Sequence, residues 1–203
     1  MHLKQDFPNW DENLLIGSIG RFWESAEISR PKDDDTFISN WLGWSVGCDW
    51  TSGEKRQYIE LANEIHREDF HYILLIGVGG SSVGARAIVS LGKNRPKFIF
   101  ADSVVPSVVK KILAEVGNQK TLLVISSKSG TTLETITLAN YFLDKLGNSQ
   151  GSLKCKKNVI AITDPGTFLE KLAIKQNFRS IINGKPDIGG RFSELSSFGL
   201  FPA

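Results

Sequence analysis

The chain has 203 residues, 41% of them hydrophobic and 23% charged, the balance of an ordinary globular protein with one sizeable core. Its 24 basic and 22 acidic residues leave a net charge of +2, which gives no reason to expect nucleic acid or an anionic membrane as a partner. Two cysteines, Cys48 and Cys155, stand far apart without paired spacing. They indicate neither a disulfide framework nor a zinc site, so no metal is expected and a reduced, cytoplasmic setting fits.

The first residues, MHLKQDFPNWDEN, carry no apolar core of a secretory signal, and no run approaches the about 20 apolar residues that span a bilayer. All five tryptophans (Trp10, Trp23, Trp41, Trp44 and Trp50) fall in the first 50 residues. Helix-like apolar spacing over 11–29 (Leu14, Leu15, Ile19, Phe22, Trp23) is broken by SRPKDDD. A helix and an aromatic-anchored loop, packed on the main domain by their rings, are expected there. Thr51 and Glu54 form a capping box that starts a helix ending near Arg67. The rhythm then changes. HYILLIG (71–77), KFIFAD (97–102), TLLVISS (121–127) and NVIAIT (158–163) are short apolar runs rich in β-branched residues. Helices are expected near 82–91, 106–116, 131–146 and 167–176, a fifth strand at 179–184, and a surface loop at 147–157. The basic clusters at 93–97 and 154–157 read as solvated loops.

Strands apolar on both faces that alternate with helices predict a parallel sheet covered on both sides: a three-layer αβα fold with a five-stranded, mostly parallel sheet. Residues 1–68 form a helical and loop segment packed on it, and 69–203 form the domain. In such a sheet ligands sit outside the carboxyl ends of the strands. The segments to examine are therefore GVGGSSVG, ADSVVPS, SSKSGTT and TDPGT, which follow the first four strands.

GVGGSSVG admits two readings, each of which it satisfies only in part. A dinucleotide fingerprint needs G-x-G-x-x-G and an acid after the second strand. Gly77, Gly79 and Asp102 comply, but Ser82 stands where close packing wants glycine or alanine. A nucleophile elbow, G-x-S-x-G centred on Ser82, needs a histidine later in the chain. The three histidines, His2, His66 and His71, all precede it, and the spacing of His66 and His71 makes a poor metal pair. SSKSGTT (126–132) offers more. Hydroxyls, a lysine and a glycine stand directly before a helix, whose N-terminus exposes unpaired N–H groups and the positive end of its dipole. That is a phosphate cradle. The alternative is a simple N-cap by Ser129 or Thr131, for which one hydroxyl would do. Without a Walker A pattern, nucleoside triphosphates are disfavoured.

IGVGGSSVG, SSKSGTTLET and DIGGRFSELSSFGLFPA, in this order and spacing, resemble the phosphoglucose isomerase family, over about residues 70–203. The G-G-R-F-S block followed by G-L-F-P-A is the most specific part. SSKSGTT also occurs across the wider sugar-isomerase (SIS) domain superfamily, and the tone of SKSGTTLE and ITDPG is bacterial. The resemblance implies a flavodoxin-like SIS fold and reversible isomerisation of glucose 6-phosphate and fructose 6-phosphate through a cis-enediol, without a metal or redox cofactor. It implies that Ser127, Lys128, Ser129 and Thr132 hold the sugar phosphate through hydroxyls and backbone amides. Thr131 would only cap the helix. Gly80 and Ser81 would border the sugar. Arg191 would stand beside C1–C2, where a fixed positive charge stabilises an enediolate; taken alone, Arg191 reads as a surface salt-bridge residue. The family's base glutamate, ring-opening histidine and a further lysine come from motifs beyond G-G-R-F-S. Glu134 and Glu194 are the acids near the motifs here, and neither is assigned as the base. The expectation is the N-terminal half of a longer enzyme, homodimeric in its full-length form and inactive as this chain alone. A stand-alone SIS domain that senses a phosphosugar is the alternative.

Overall fold

The computed structural model describes residues 43–46, 52–91, 96–150 and 156–202. The expectations for the helix at 11–29, for Trp10, Trp23, Trp41, Trp50, Cys48 and Cys155, and for the Thr51 side of the capping box lie outside these residues.

The elements alternate as the apolar runs predict. Helix α1 (Ser52–Arg67) leads into β1 (Tyr72–Ile76), α2 (Gly80–Ser90), β2 (Lys97–Ala101) and α3 (Pro106–Val116). Then follow β3 (Thr121–Ser126), α4 (Leu133–Gln150), β4 (Val159–Thr163), α5 (Phe168–Gln176), β5 (Ser180–Asn183) and a short α6 (Ser197–Leu200). The five strands pair parallel throughout, in the order β2-β1-β3-β4-β5. β3 and β4 are buried along their whole length, which is why they read as unbroken apolar runs. β2 and β5 are the edges and carry the partly exposed residues.

The pleat sorts the strands into two cores. Leu74, Ile76, Leu123, Ile125 and Ala161 face α3, α4 and α5, meeting Val109, Ile112, Phe142 and Leu169. Ile73, Leu75, Leu122, Val124 and Ile160 face the other way, against Leu61 of α1, Ala85 of α2 and Phe198 of α6. The result is a three-layer αβα sandwich of the flavodoxin-like SIS type. Its strand order reverses direction at β1 and β3, so the loops leaving these two strands diverge and open a crevice at their carboxyl ends.

Three helix boundaries differ from expectation, one of them the start of α4, which is at Leu133 rather than 131. α2 begins at Gly80 rather than Ser82, because Gly79, at φ 65° and ψ −135°, takes the cap position and its carbonyl accepts the amides of Ser82 and Val83. α4 runs on to Gln150, so the first part of the loop expected at 147–157 is helical. A glycine stops a helix by turning left-handed; Gly147 keeps a negative φ, and its neighbour Leu146 is anchored in the core.

Candidate functional site

The crevice is set by backbone contact. A Cβ at Gly77 would lie 2.8 Å from the Ser126 carbonyl oxygen, so the ends of β1 and β3 stand as close as glycine permits. Beyond Gly77 the chain turns at Gly79 into α2, whose first turn holds Gly80 and half-buried Ser81. Ser82 is 1% exposed and its hydroxyl donates to the Gly79 carbonyl at 3.2 Å. It is a tied residue of the first turn, not a displayed nucleophile. His66 ends α1 and His71 precedes β1, both at the amino end of the sheet. Asp102, the acid a dinucleotide ribose would use, is paired with Arg86 at 2.5 Å, and that guanidinium lies 4.7 Å from the centre of the Phe100 ring.

The loop after β3 is a compact turn. The Ser127 amide donates to Ile162 of β4 and the Gly130 amide returns to the Ser127 carbonyl at 3.1 Å. Gly130 takes φ 65°, and a Cβ there would sit 2.5 Å from that of Thr167, the N-cap of α5. The Ile136 amide donates to the Thr132 carbonyl, so Thr132 is the residue on which α4 starts. The Thr132 hydroxyl stands 3.3 Å from both the Ser127 and the Ser129 hydroxyls. Ser129 in turn accepts the Thr131 amide and hydroxyl, each at 3.3 Å. These distances exceed an ordinary O–H···O bond of about 2.7–2.8 Å. Such a ring exchanges its internal bonds for the oxygens of an anion at little cost, and the first N–H groups of α4 add about half a unit of positive charge.

Lys128 departs from the ring. Its ammonium donates to Asp164 Oδ2 and to the Lys185 carbonyl, each at 2.7 Å. What it leaves to the loop is its backbone. Burial pushes the Asp164 carboxyl above its usual range; Lys128 opposes that shift and the charge of Asp187 adds to it.

Arg191 is exposed, in a 3-10 turn over Gly190–Phe192, and makes no ion pair with the other described residues. The turn is seated on both motif loops. A Cβ at Gly80 would collide with the Gly190 carbonyl oxygen, its carbon 2.9 Å away. A Cβ at Gly190 would lie 3.9 Å from Lys128 Cδ, and one at Gly84 would lie 2.5 Å from Glu194 Cγ. From the far side Phe192 stacks on Trp44 at 4.7 Å, while the Gly43 amide donates to the Asp187 carbonyl. The segments that carry Gly80 and Ser81, Ser127 to Thr132, and Arg191 thus meet at the carboxyl end of the sheet through the Gly80–Gly190 and Gly190–Lys128 approaches, with the Lys128 ammonium turned to Asp164. Asp164 was not singled out by the sequence, although TDPGT was marked as a strand-end loop.

The phosphoglucose isomerase family model matches residues 64–203, more than half of the chain. The chain belongs to the phosphoglucose isomerase family. A probable glucose-6-phosphate isomerase of Methanococcus maripaludis is 37% identical over 153 residues, covering 72% of this chain and 34% of that protein. Glucose-6-phosphate isomerase of Mycoplasma mobile is 33% identical over 203 aligned positions, covering 88% of this chain and 46% of its own. The crystal structure of a glucose-6-phosphate isomerase from Chlamydia trachomatis superposes with a TM-score of 0.62 at 27% identity, over 72% of this chain and 28% of that one. The chain therefore spans less than half the length of these phosphoglucose isomerase relatives.

Proposed function

We propose that this chain is the phosphosugar-binding part of a glucose-6-phosphate isomerase, one that interconverts glucose 6-phosphate and fructose 6-phosphate. The observation that carries it is the meeting of three motif segments at one crevice: the hydroxyl ring before α4, the first turn of α2, and the Gly190–Phe192 turn. In this reading the phosphate takes the hydroxyls of Ser127, Ser129 and Thr132, the amides of Lys128, Ser129 and Thr132, and the positive end of α4. Gly80 and Ser81 border the sugar. Arg191 stands at the C1–C2 end, where its charge stabilises the enediolate formed when the C2 proton is removed and before one is returned to C1. A role in glycolysis and gluconeogenesis, a cytoplasmic setting and a homodimeric full-length enzyme belong to the same proposal, which family membership supports. Among the described residues no helix is long and apolar enough to cross a membrane.

The test is thermal unfolding with fructose 6-phosphate, glucose or NAD, for the parent chain and for Ser127→Ala. A ligand in hundredfold excess over its Kd stabilises the native state by about 2.7 kcal/mol. For a chain of this size that raises Tm by about 5–10 °C. The shift is expected with fructose 6-phosphate alone and is reduced in Ser127→Ala. A shift with NAD, or an equal shift with unphosphorylated glucose, overturns the reading.

A further inference from the structure

The hydroxyl ring contains one lysine, and that lysine points elsewhere. The Lys128 stem passes Gly190, and its ammonium reaches Asp164 Oδ2 and the Lys185 carbonyl, 5.8 Å from the centre of the Phe198 ring. Both partners of the pair are largely enclosed, at 14% and 16% side-chain exposure. The backbone runs the same way. The Asp164 amide donates to the Lys128 carbonyl at 3.2 Å, and the Gly184 amide to the Thr163 carbonyl at 2.8 Å. Gly184 is itself shaped by the pair: a Cβ there would collide with Asp164 Oδ1 and lie 2.6 Å from Phe198 Cε2. One ammonium thus joins the ends of β3, β4 and β5, and Lys185 opens the run that leads to Arg191.

We propose that Asp164 is a positioning residue of this site. Through Lys128 and the Lys185 carbonyl it sets the separation between the Ser127–Thr132 loop and the turn that carries Arg191. The proposal rests on the phosphosugar reading above for its function, though not for its geometry. It differs from the role that the resemblance gives Lys128, because the lysine's charge is committed to a carboxylate and the anion is left to hydroxyls, amides and the α4 terminus. The two roles predict opposite responses. Were Lys128 a direct phosphate ligand held back by Asp164, removing the carboxylate would release it and tighten the binding of any phosphate. As a tie, the pair matters to a ligand that must touch both the loop and Arg191, and little to a bare anion.

Hydrogen exchange and ligand titration of the 203-residue chain test this with Asp164→Asn, Lys128→Met and the double variant. Amides of 185–193 are expected to exchange on the order of tenfold faster in each single variant, and no faster in the double, as for two groups in one interaction. Amides of β1, β3 and β4 keep their rates. Fructose 6-phosphate binding weakens on the order of tenfold while inorganic phosphate binding stays within about threefold. Unchanged exchange at 185–193, additive effects in the double variant, or tighter inorganic phosphate in Asp164→Asn overturns the proposal. If Asp164→Asn unfolds because its lysine is left buried and unpaired, Lys128→Met and the uncharged double variant carry the comparison. If the exchange pattern holds but the parent chain binds neither phosphate nor fructose 6-phosphate, the tie stands and the phosphosugar reading falls.

Discussion

A methyl group on Gly80 has nowhere to go, because the Gly190 carbonyl already occupies the place. On Gly79 it would meet nothing within 4 Å, but the backbone there, at φ 65° and ψ −135°, is a conformation that essentially only glycine adopts. Gly79→Ala and Gly80→Ala should therefore destabilise by similar amounts, about 1–3 kcal/mol in urea unfolding, for different reasons. Only Gly80→Ala pushes the Arg191 turn away from α2, so only it should also weaken fructose 6-phosphate in titration. Equal loss of affinity in both would mean that the Gly80–Gly190 contact does not set the crevice. Tyr58 of α1 offers a second measurement at this scale. Burial, and then the charge of Glu54, raise its hydroxyl from 10.0 to about 12. The fold thus favours the neutral phenol, and the stability linked to it is complete below pH 10 and lost as pH rises towards about 12. Tyr58→Phe cannot lose it. Unfolding free energies measured at steps across that alkaline window should fall less steeply for the variant, and identical slopes would show that Tyr58 titrates as it does in the unfolded chain.

The start of α5 repeats in miniature how these elements are held. Thr167 accepts the Glu170 amide at 3.2 Å, and Glu170 Oε2 accepts the Gly166 amide at 2.6 Å, so the first turn satisfies its own orphan donors. Thr167→Ala should cost about 1 kcal/mol by chemical denaturation. It also removes the Thr163 hydroxyl's partner at 2.8 Å and, of the two Thr167 side-chain atoms against which Gly130 turns, the hydroxyl oxygen, while the Cβ stays. Anion affinity should therefore fall with stability, whereas a cap that served α5 alone would leave affinity intact. Elements of this kind were largely legible in the sequence. Each strand was foreseen to within a residue or so, because a central parallel strand must be apolar on both faces. The loops after β1 and β3 were marked, with those after β2 and β4, because they follow the carboxyl ends of strands. What one dimension could not show is where a long side chain goes. Lys128 sits among hydroxyls in sequence and beside Asp164 in space. Gly80 and Gly84 read as motif glycines and prove to be the places where Gly190 and Glu194 approach α2. Spacing reports faces and caps; these contacts join residues from opposite ends of the domain.

For the whole chain the question is whether a crevice that can hold a phosphosugar can also move its proton. Taking a proton from C2 needs a carboxylate or imidazole within hydrogen-bond reach, with a pKa near the working pH. Around the carboxyl end of the sheet, Asp102 is paired with Arg86 and Asp164 with Lys128. Glu194 packs its stem on Gly84, and Glu134 is exposed in the first turn of α4, where it complements the dipole. His66 and His71 lie at the other end. The chain spans only 34% and 46% of two of the relatives that it matches. With Asp102 and Asp164 held in ion pairs, the expected outcome on the phosphosugar reading proposed above is binding of fructose 6-phosphate without isomerisation. A coupled assay at saturating substrate, with enough chain to register a rate many orders of magnitude below the median kcat of about 10 s⁻¹, should read only the uncatalysed background. Binding without turnover would separate holding and polarising the sugar, the roles proposed for the cradle and Arg191, from moving its proton. Turnover abolished by Glu134→Gln or Glu194→Gln, with binding kept, would instead place that base within these 203 residues. The crevice between β1 and β3 would then be a working isomerase centre rather than a binding site for its substrate.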